Sequence, residues 1–414
     1  SRSRLESSRT QRRVVPAADC RGGCAAHWWI SGAGGPDSPM GSAMAVALVC
    51  AVCVADADAT LAPQYVAFPR FSGLNDGPEA RAFFREHGFA VFAAAAEAEV
   101  AAAWAKFWDY LEGLGTGVDR NKSATWTESH WPSTRTPTCF MSFWGLGQSD
   151  FLWYVRGLPG VRAAFSLLWN TEDLLVSFDG AAGCRFQDPH VFPSQGYWWH
   201  VDQNPRGQPT FDCVQGLLHL TPTSPASGGL ALVPGSHSLY PHLYEGRWGG
   251  ILDARGPNHR FFQIPDDDRS MQAHLAERAV SPHLRPGDLV VWNSTTLHCN
   301  FVGRAWDMPR GRNRSRRPLG RLAAYIAMSP RRKATDEILQ MRKAGVCDGA
   351  TTTHWPHRFV RAEDNNAGLW RSFGEAYQRR FRQPGPPQLD DQRLRLAGFA
   401  RGERPACSGG ARGS

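Results

Sequence analysis

The chain has 414 residues, of which 42% are hydrophobic and 20% charged, which is the composition of a globular protein with a sizeable core. Its net charge is +8, but the excess lies in the amino-terminal leader, in residues 304–317 and after Arg379, so no basic face with interleaved aromatic residues indicates nucleic-acid binding. No segment is apolar over enough residues to span a bilayer, and stable membrane insertion is therefore not expected.

Residues 1–60 are predicted to be a disordered leader or a targeting segment. Ser1–Pro39 is rich in Arg, Ser, Gly and Ala and has no period. An apolar run, Ala43–Ala55, precedes small and acidic residues as in a signal peptide at about 40–59, but no positively charged region comes before it. An organellar transit peptide is the alternative, and we favour a cytoplasmic or organellar location over secretion.

Helical patterns lie before and after the centre of the chain. Pro78–His87 and Ala93–Glu112 carry helix-forming residues, and a third helix is predicted over Val161–Leu168. In the second, apolar residues recur at helical spacing and predict packing against a core; they are Val100, Trp104, Phe107, Trp108 and Leu111. Later helices are predicted over Thr335–Ala344 and Ala367–Phe381. Residues 384–414 are rich in Pro and Arg and predict a disordered tail.

Short apolar segments separated by turn residues fill the centre. Turns are indicated by Asp179-Gly180, by the Thr-, Ser-, Pro- and Gly-rich stretch Thr221–Gly229, and by Pro286-Gly287-Asp288. The pattern is typical of an antiparallel barrel or jelly roll. The predicted strands are Leu174–Phe178, Cys213–Leu220, Leu230–Val233, Leu289–Trp292 and Leu322–Met328.

His200, Asp202 and His298 are the candidate metal ligands. A His-x-Asp triplet alone is weak evidence, since chance gives on the order of one in a chain with 14 histidines. Here Tyr197–Trp199 favours a strand, and residues two apart in a strand face the same way. His298 follows the predicted strand Leu289–Trp292 in a polar loop. Two histidines and a carboxylate are the ligand set of a non-haem Fe(II) oxygenase, which leaves positions open for co-substrate and dioxygen.

From about Leu74 to Pro330 the chain resembles the phytanoyl-CoA dioxygenase family of Fe(II)/2-oxoglutarate-dependent oxygenases. The matching residues are the amino-terminal stretch Phe83–Phe92, His200-Val-Asp202, Gly228–His237, Pro286-Gly-Asp288 and His298. The resemblance implies a double-stranded β-helix core with flanking amino- and carboxy-terminal helices. It also implies oxidation of an unactivated carbon with consumption of 2-oxoglutarate and dioxygen. Halogenating relatives replace the carboxylate with a small residue, so Asp202 favours hydroxylation or a related oxidation.

The resemblance further implies an arginine beyond the distal histidine that holds the far carboxylate of 2-oxoglutarate. Arg321 is the choice, because it opens the strand before Leu322, and a guanidinium grips a carboxylate through two parallel hydrogen bonds. The Arg-rich stretch 304–317 places Arg321 further from His298 than the family pattern has it. Arg316 and Arg317 are therefore rivals, and a solvated loop is the alternative for all three.

Polar and aromatic residues near the motif complete the candidate site. Gln187 lies where relatives place a polar residue near 2-oxoglutarate, Asn300 follows His298 by two, and Gln215 is on the next strand. Hydrogen-bonded amides at strand ends are the alternative for these three. Trp198 and Trp199 are candidates for the substrate-pocket wall, with core packing as the alternative. The other histidines, including the pair flanking Trp355-Pro356, are expected to have structural roles.

The ten cysteines indicate neither a zinc site nor a disulfide framework. Most of those in the central region are expected to be buried free thiols; the central cysteines are Cys139, Cys184, Cys213, Cys299 and Cys347.

Together these features predict a mainly β protein with flanking α-helices and a jelly-roll or cupin-like core. The domains are expected at 1–60 (leader), 61–383 (dioxygenase domain, with the β-helix core at about 172–330) and 384–414 (tail). The predicted activity is Fe(II)- and 2-oxoglutarate-dependent hydroxylation of a small-molecule or acyl-thioester substrate, with release of succinate and CO2. A non-catalytic metal-binding jelly-roll module and a cupin-type enzyme with another divalent metal and no 2-oxoglutarate remain alternatives. We expect a monomer or weak homo-oligomer.

Overall fold

The computed structural model describes residues 63–407 except 74, 128, 133–138, 186–197, 226, 257–260 and 303–318. These residues all belong to one compact unit that spans residues 56–414. The predicted leader, 1–60, lies outside the described residues and stays a prediction. No helix among the described residues is both long enough and apolar enough to cross a membrane.

The elements follow the order expected of strands in the centre with helices at both ends. The described helices are α1 (Gly77–His87), α2 (Glu97–Gly113), α3 (Asp150–Arg156), α4 (Pro159–Trp169), α5 (His242–Arg255), α6 (Arg269–Arg278), α7 (Asp336–Cys347), α8 (Ala362–Asn365), α9 (Ala367–Ser372), α10 (Gly374–Gln378) and α11 (Asp391–Ala397). The described strands are β1 (Gln64–Val66), β2 (Arg70–Phe71), β3 (Phe89–Ala93), β4 (Phe140–Met141), β5 (Leu174–Val176), β6 (Ala181–Cys184), β7 (His200–Val201), β8 (Val214–His219), β9 (Gly228–Leu232), β10 (Phe262–Gln263), β11 (Val280–Pro282), β12 (Asp288–Asn293), β13 (His298–Val302) and β14 (Arg321–Pro330).

Two sheets form the core. One has the strand order β1-β11-β9-β13-β7-β10, and the other has the order β2-β3-β12-β8-β14-β6-β4 with β5 added on β14. The pairs β1–β11 and β2–β3 are parallel, and the remaining pairs are antiparallel. The sheets are mixed and do not close on themselves. This architecture confirms the predicted jelly-roll core with flanking helices.

Alternation along the strands separates three apolar layers. In β12, Val290 packs in the layer between the sheets with Leu217 and Leu230 of β8 and β9. Its neighbour Val291 faces the other way, into the cluster formed with helices α1–α4. On the outer side of the smaller sheet, Val201 packs against α5 and α6. The inward faces of the two sheets therefore enclose the space in which His200 and His298 lie.

The turn before β12 explains the sequence Pro286-Gly287-Asp288. Gly287 has φ +92°, and a Cβ atom there would collide with the backbone of Ala95, so only glycine fits. The buried Asp288 carboxylate accepts hydrogen bonds from the Arg285 backbone N–H and from the Arg70 guanidinium. This motif thus fixes the start of β12 and takes no part in the metal cluster.

Several boundaries differ from those predicted. The helix expected from Ala93 begins at Glu97, because residues 89–93 pair with β12 as β3. His298 opens strand β13 rather than lying in a loop. The helix expected over 367–381 is interrupted at Gly374, whose φ of +69° lies in the left-handed region. Propensity alone misses these breaks because tertiary pairing overrides it.

The predicted disordered tail is wrong for residues 384–407. Leu394 of helix α11 and Phe399, which follows the helix, pack in the main core, and Arg342 donates hydrogen bonds to the carbonyl oxygens of Leu396 and Ala397. The Asp390 carboxylate caps the start of the helix by accepting a hydrogen bond from the Arg393 backbone N–H. A few apolar residues in a Pro- and Arg-rich stretch are thus enough to anchor it.

The expectation of free thiols is wrong for three of the five central cysteines. Cys139 pairs with Cys184, at a Cα–Cα distance of 5.0 Å, and Cys347 pairs with Cys407, at 5.1 Å. These pairs are 45 and 60 residues apart in sequence, so their proximity is a product of the fold. Cys213 and Cys299 are buried free thiols, as expected.

Candidate functional site

The two candidate histidines lie directly opposite each other on neighbouring strands. His298 of β13 and His200 of β7 are partners in the antiparallel register. Their side chains face inward, since Val201 and Cys299, the next residues along each strand, face the outer cluster. The imidazole centroids are 4.3 Å apart, and each residue is about 5% exposed or less. Strand pairing therefore brings together two ligands that are 98 residues apart in sequence.

Each imidazole is oriented by a backbone carbonyl. His200 Nδ1 lies 3.0 Å from the Trp198 oxygen, and His298 Nδ1 lies 2.9 Å from the Thr296 oxygen. Because a carbonyl oxygen only accepts, Nδ1 carries the proton in both rings and the Nε2 lone pairs are free. This arrangement is the one that holds metal-ligating histidines in proteins.

Asp202 completes the cluster from the bend that follows β7. Its Oδ2 lies 3.1 Å from His298 Nε2, and its Oδ1 lies 3.7 Å from His200 Nε2. The three side chains offer ligand atoms that all lie within 4.8 Å of one another. The backbone N–H of Asp202 donates to the Ser294 oxygen, and Gln215 Nε2 donates to Asp202 Oδ2 at 2.8 Å. Gln215 therefore positions the carboxylate.

Burial and mutual charge set the protonation states. Burial, followed by the charge of His298, lowers the pKa of His200 to about 4, so the ring is neutral at physiological pH. Burial alone would raise the pKa of Asp202, but the imidazoles of His354, His200 and His298 outweigh it and hold that pKa well below its usual range. Neutral imidazole and ionised carboxylate are the forms that bind a divalent cation.

Arg321 lies at the first position of β14, on the inward face, and is 3% exposed. Its Nη2 donates to Asn300 Oδ1 at 3.3 Å, and Asn300 Nδ2 donates in turn to the Tyr325 hydroxyl at 2.9 Å. Its Nε is buried without a hydrogen-bond partner, and no described carboxylate lies within ion-pair distance. Burial lowers the pKa of the guanidinium, which Tyr325 and Tyr65 only partly offset. Among the described residues, the Arg321 guanidinium is thus a buried cation without an anionic partner.

The remaining predicted site residues divide into three groups. Gln187, Arg316 and Arg317 lie outside the described residues. Trp198 stacks on His200, with ring centroids 4.0 Å apart, and its Nε1 donates to the Asn300 oxygen. Trp199 packs in the outer cluster against α5 and α6, which favours the core alternative for this residue.

Two polar residues near the cluster were not predicted from the sequence. His354, expected to be structural, interacts electrostatically with all three members of the triad. Asp179, noted only as a turn residue, interacts with Asp202 in the same way. No local signal distinguishes either, because His354 stands beside Trp355-Pro356 and Asp179 stands in a turn motif. Only the proximity created by the fold reveals them.

Sequence comparison places this cluster in a known family. Residues 176–299 match the family profile described as phytanoyl-CoA dioxygenase (PhyH), and this range contains all three members of the triad. A curated relative, "Ava biosynthesis cluster protein O" of Aspergillus versicolor, is 31% identical over 257 residues, which cover 61% of this chain and 77% of that protein. The chain belongs to the phytanoyl-CoA dioxygenase family. It is thereby an oxidoreductase of the 2-oxoglutarate-dependent type, as predicted.

Solved structures that resemble this chain include EctD and the epimerase SnoN. EctD from S. alaskensis, determined with 2-oxoglutarate and 5-hydroxyectoine, is 18% identical and matches 66% of this chain and 84% of its own, with a TM-score of 0.39. The epimerase SnoN from nogalamycin biosynthesis is 16% identical and matches 61% and 82%, with a TM-score of 0.35. Both TM-scores are low, so the assignment to the phytanoyl-CoA dioxygenase family rests on the sequence matches.

Proposed function

We propose that this chain is an Fe(II)- and 2-oxoglutarate-dependent dioxygenase that hydroxylates an unactivated carbon of a small-molecule substrate. One observation carries the proposal: a buried His-Asp-His cluster lies on the same inward face as a buried arginine that has no anionic partner among the described residues. The first group suits a divalent metal, and the second suits the carboxylate of a co-substrate.

The cluster fits iron by the chemistry of its donors. His200, His298 and Asp202 supply two imidazole nitrogens and one carboxylate, the set that leaves positions open in non-haem Fe(II) oxygenases. The Nδ1 protons held by carbonyl oxygens leave Nε2 of both rings for the metal. Gln215 restrains the carboxylate by its hydrogen bond. A site preorganised in this way needs little rearrangement on binding the ion.

The surroundings of Arg321 fit 2-oxoglutarate. A buried guanidinium without a counter-ion costs several kcal/mol in an apolar interior, on the order of magnitude found for unpaired buried charges. A carboxylate would remove that cost and accept a hydrogen bond from Nε, which has no partner in the part of the chain that the structure describes. Asn300 and Tyr325 fix the guanidinium in place through their hydrogen bonds.

When bound, Fe(II) and 2-oxoglutarate supply the oxidation, in which one atom of dioxygen enters a substrate C–H bond and the other enters succinate, with release of CO2. The residues of the protein orient these groups and enclose them. Trp198 packs flat on His200, and Trp292 lies against His298 with centroids 5.3 Å apart. Together with the apolar layer between the sheets, these rings exclude water from the cluster.

The reaction and its stoichiometry are tested by measuring succinate. The purified protein is incubated anaerobically with Fe(II) and 2-oxoglutarate, oxygen is admitted, and succinate and remaining 2-oxoglutarate are quantified. We expect the wild-type protein to form succinate at a low rate without substrate. The His200→Ala variant should form none, whereas His242→Gln, a matched change of an exposed histidine, should keep the wild-type rate. Well-folded iron-loaded protein that forms no succinate would contradict the proposal and favour a non-catalytic metal module. Size-exclusion chromatography tests the expected monomer or weak homo-oligomer.

A further inference from the structure

Asp179 is a buried carboxylate whose side chain accepts one hydrogen bond from the described residues. It lies between β5 and β6 and is 6% exposed. Oδ1 accepts a hydrogen bond from the Gly180 N–H at 2.7 Å, whereas Oδ2 has no partner in the described part of the chain. The nearby Arg156 donates to the backbone oxygens of Gly147 and Asp179 instead of to the carboxylate. One carboxylate oxygen therefore remains available.

This carboxylate lies in the same enclosed region as the metal cluster. Burial raises the pKa of Asp179 to about 7; the Gly180 N–H and Arg156 oppose the rise, and the Asp202 carboxylate adds to it. Tyr325 interacts with both carboxylates, and its backbone N–H donates to the Gly180 oxygen at 3.1 Å. Since Tyr325 faces inward beside Asn300, Asp179 lies next to the space that the cluster borders.

His354 is a second polar group without a partner beside the cluster. Its Nε2 is buried and forms no hydrogen bond within the described residues. Burial lowers the pKa of the ring, and the Asp202 carboxylate opposes this effect. The three ligand atoms of the triad lie together without His354, so this imidazole stands outside the ligand set.

The two residues are fixed by a shared backbone connection. Thr352 donates its N–H to the Phe178 oxygen at 2.9 Å, and the Phe178 N–H donates to Thr352 Oγ1 at 3.1 Å. Asp179 directly follows one end of this clamp, and His354 follows the other by two residues. Cys213 Sγ further contacts the His354 oxygen. Both polar groups are thus held in place before any ligand binds.

A buried polar atom without a partner destabilises a folded protein unless a ligand satisfies it. We propose that Asp179 and His354 recognise the substrate of the proposed dioxygenase, and that this substrate carries an N–H or O–H donor, such as an amine or a hydroxyl, near the carbon that is oxidised. The inference rests on the proposed function. A plain acyl chain would leave both groups unsatisfied and is therefore rejected.

Matched pairs of compounds test the substrate class. The iron-loaded full-length protein is supplied with 2-oxoglutarate, oxygen and small molecules that share a carbon skeleton but differ in one group, an amine or hydroxyl against a methyl. We expect only donor-bearing members to raise succinate formation, with kcat/KM at least about 100-fold above that of the methyl partner. Equal stimulation by methyl members, or stimulation by no donor-bearing member, overturns the inference. A protein that forms no succinate under any condition refutes the proposed function instead.

Substitutions then test the two residues on the best donor-bearing compound. Asp179→Asn and His354→Phe should each raise KM for that compound by about 10- to 100-fold, the loss expected for a hydrogen bond to a charged or polar buried group, with a smaller change in kcat. His354→Gln, which keeps a hydrogen-bonding group, should recover part of the loss.

The matched controls are Asp253→Asn and His242→Gln, both at exposed positions, which should leave KM unchanged. Thermal unfolding identifies any variant that fails to fold, and the other position then decides the outcome. A KM within about threefold of wild type in a folded variant at either position overturns the role of that residue.

Discussion

Replacing Arg321 should weaken 2-oxoglutarate binding without releasing iron. The guanidinium is 3% exposed and, among the described residues, its Nη2 donates to the neutral Asn300 while its buried Nε has no partner and can donate to a carboxylate. Two charge-assisted hydrogen bonds contribute roughly 3–4 kcal/mol together, which corresponds to about 100- to 1000-fold. Arg321→Gln should therefore raise KM for 2-oxoglutarate by that factor, while the anaerobic Fe(II) affinity stays within a few-fold of wild type.

The succinate assay at saturating Fe(II) measures this change, and Arg206→Gln, a partly exposed arginine paired with Asp253, is the control. A KM within about threefold of wild type would refute the assignment. If Arg316→Gln or Arg317→Gln raises KM instead, one of these residues holds the co-substrate. An equal loss of Fe(II) affinity in Arg321→Gln would show that the arginine supports the fold of the whole site.

Further predictions concern the carboxylates and the core. Gln215→Leu should lower the affinity for Fe(II) by about 10- to 100-fold, because Asp202 loses the hydrogen bond that orients it; an unchanged affinity in anaerobic titration would contradict this. Burial alone would raise the pKa of Asp212, but His357 and Lys333 outweigh it and hold that pKa well below its usual range. Its interactions thus stabilise the fold above the unfolded pKa of about 3.9, and this contribution is lost as the pH falls. Asp212→Asn should lower the free energy of unfolding at pH 7, with a difference that shrinks below about pH 4 in denaturant titrations; a pH-independent difference would disprove the linkage. Phe107→Ala should cost about 3–5 kcal/mol of unfolding free energy while leaving Fe(II) affinity unchanged, since the ring packs with the helices and not between the sheets.

The strands that build the site could be predicted because each carries its own pattern. Residues 289–292 and 322–328 are apolar runs bounded by turn residues, and both are strands in the structure. Helix α1 agrees with its predicted bounds to one residue. The start of α2 could not be predicted, because Phe89–Ala93 pairs with β12, and a pairing between distant segments leaves no local mark.

The candidate ligands could also be predicted, since His200 and Asp202 are neighbours in sequence and His298 follows a recognisable turn and strand. What could not be predicted is their relation to one another: the direct register of His298 with His200 depends on hydrogen bonds between β13 and β7. The position of Trp199 could not be predicted from its sequence neighbours either. It adjoins a ligand in sequence, yet strand alternation turns it into the outer core.

The sequence by itself determined the ligand types, the family and the kind of fold, because these depend on residues close together in the chain and on the order of short motifs. The tertiary structure alone decided which distant groups surround the cluster. It joined Cys139 to Cys184, buried Arg321 away from any described carboxylate, and brought Asp179 and His354 beside Asp202. Such proximity comes from strand pairing and packing between segments up to 175 residues apart, and no local pattern in the chain records it.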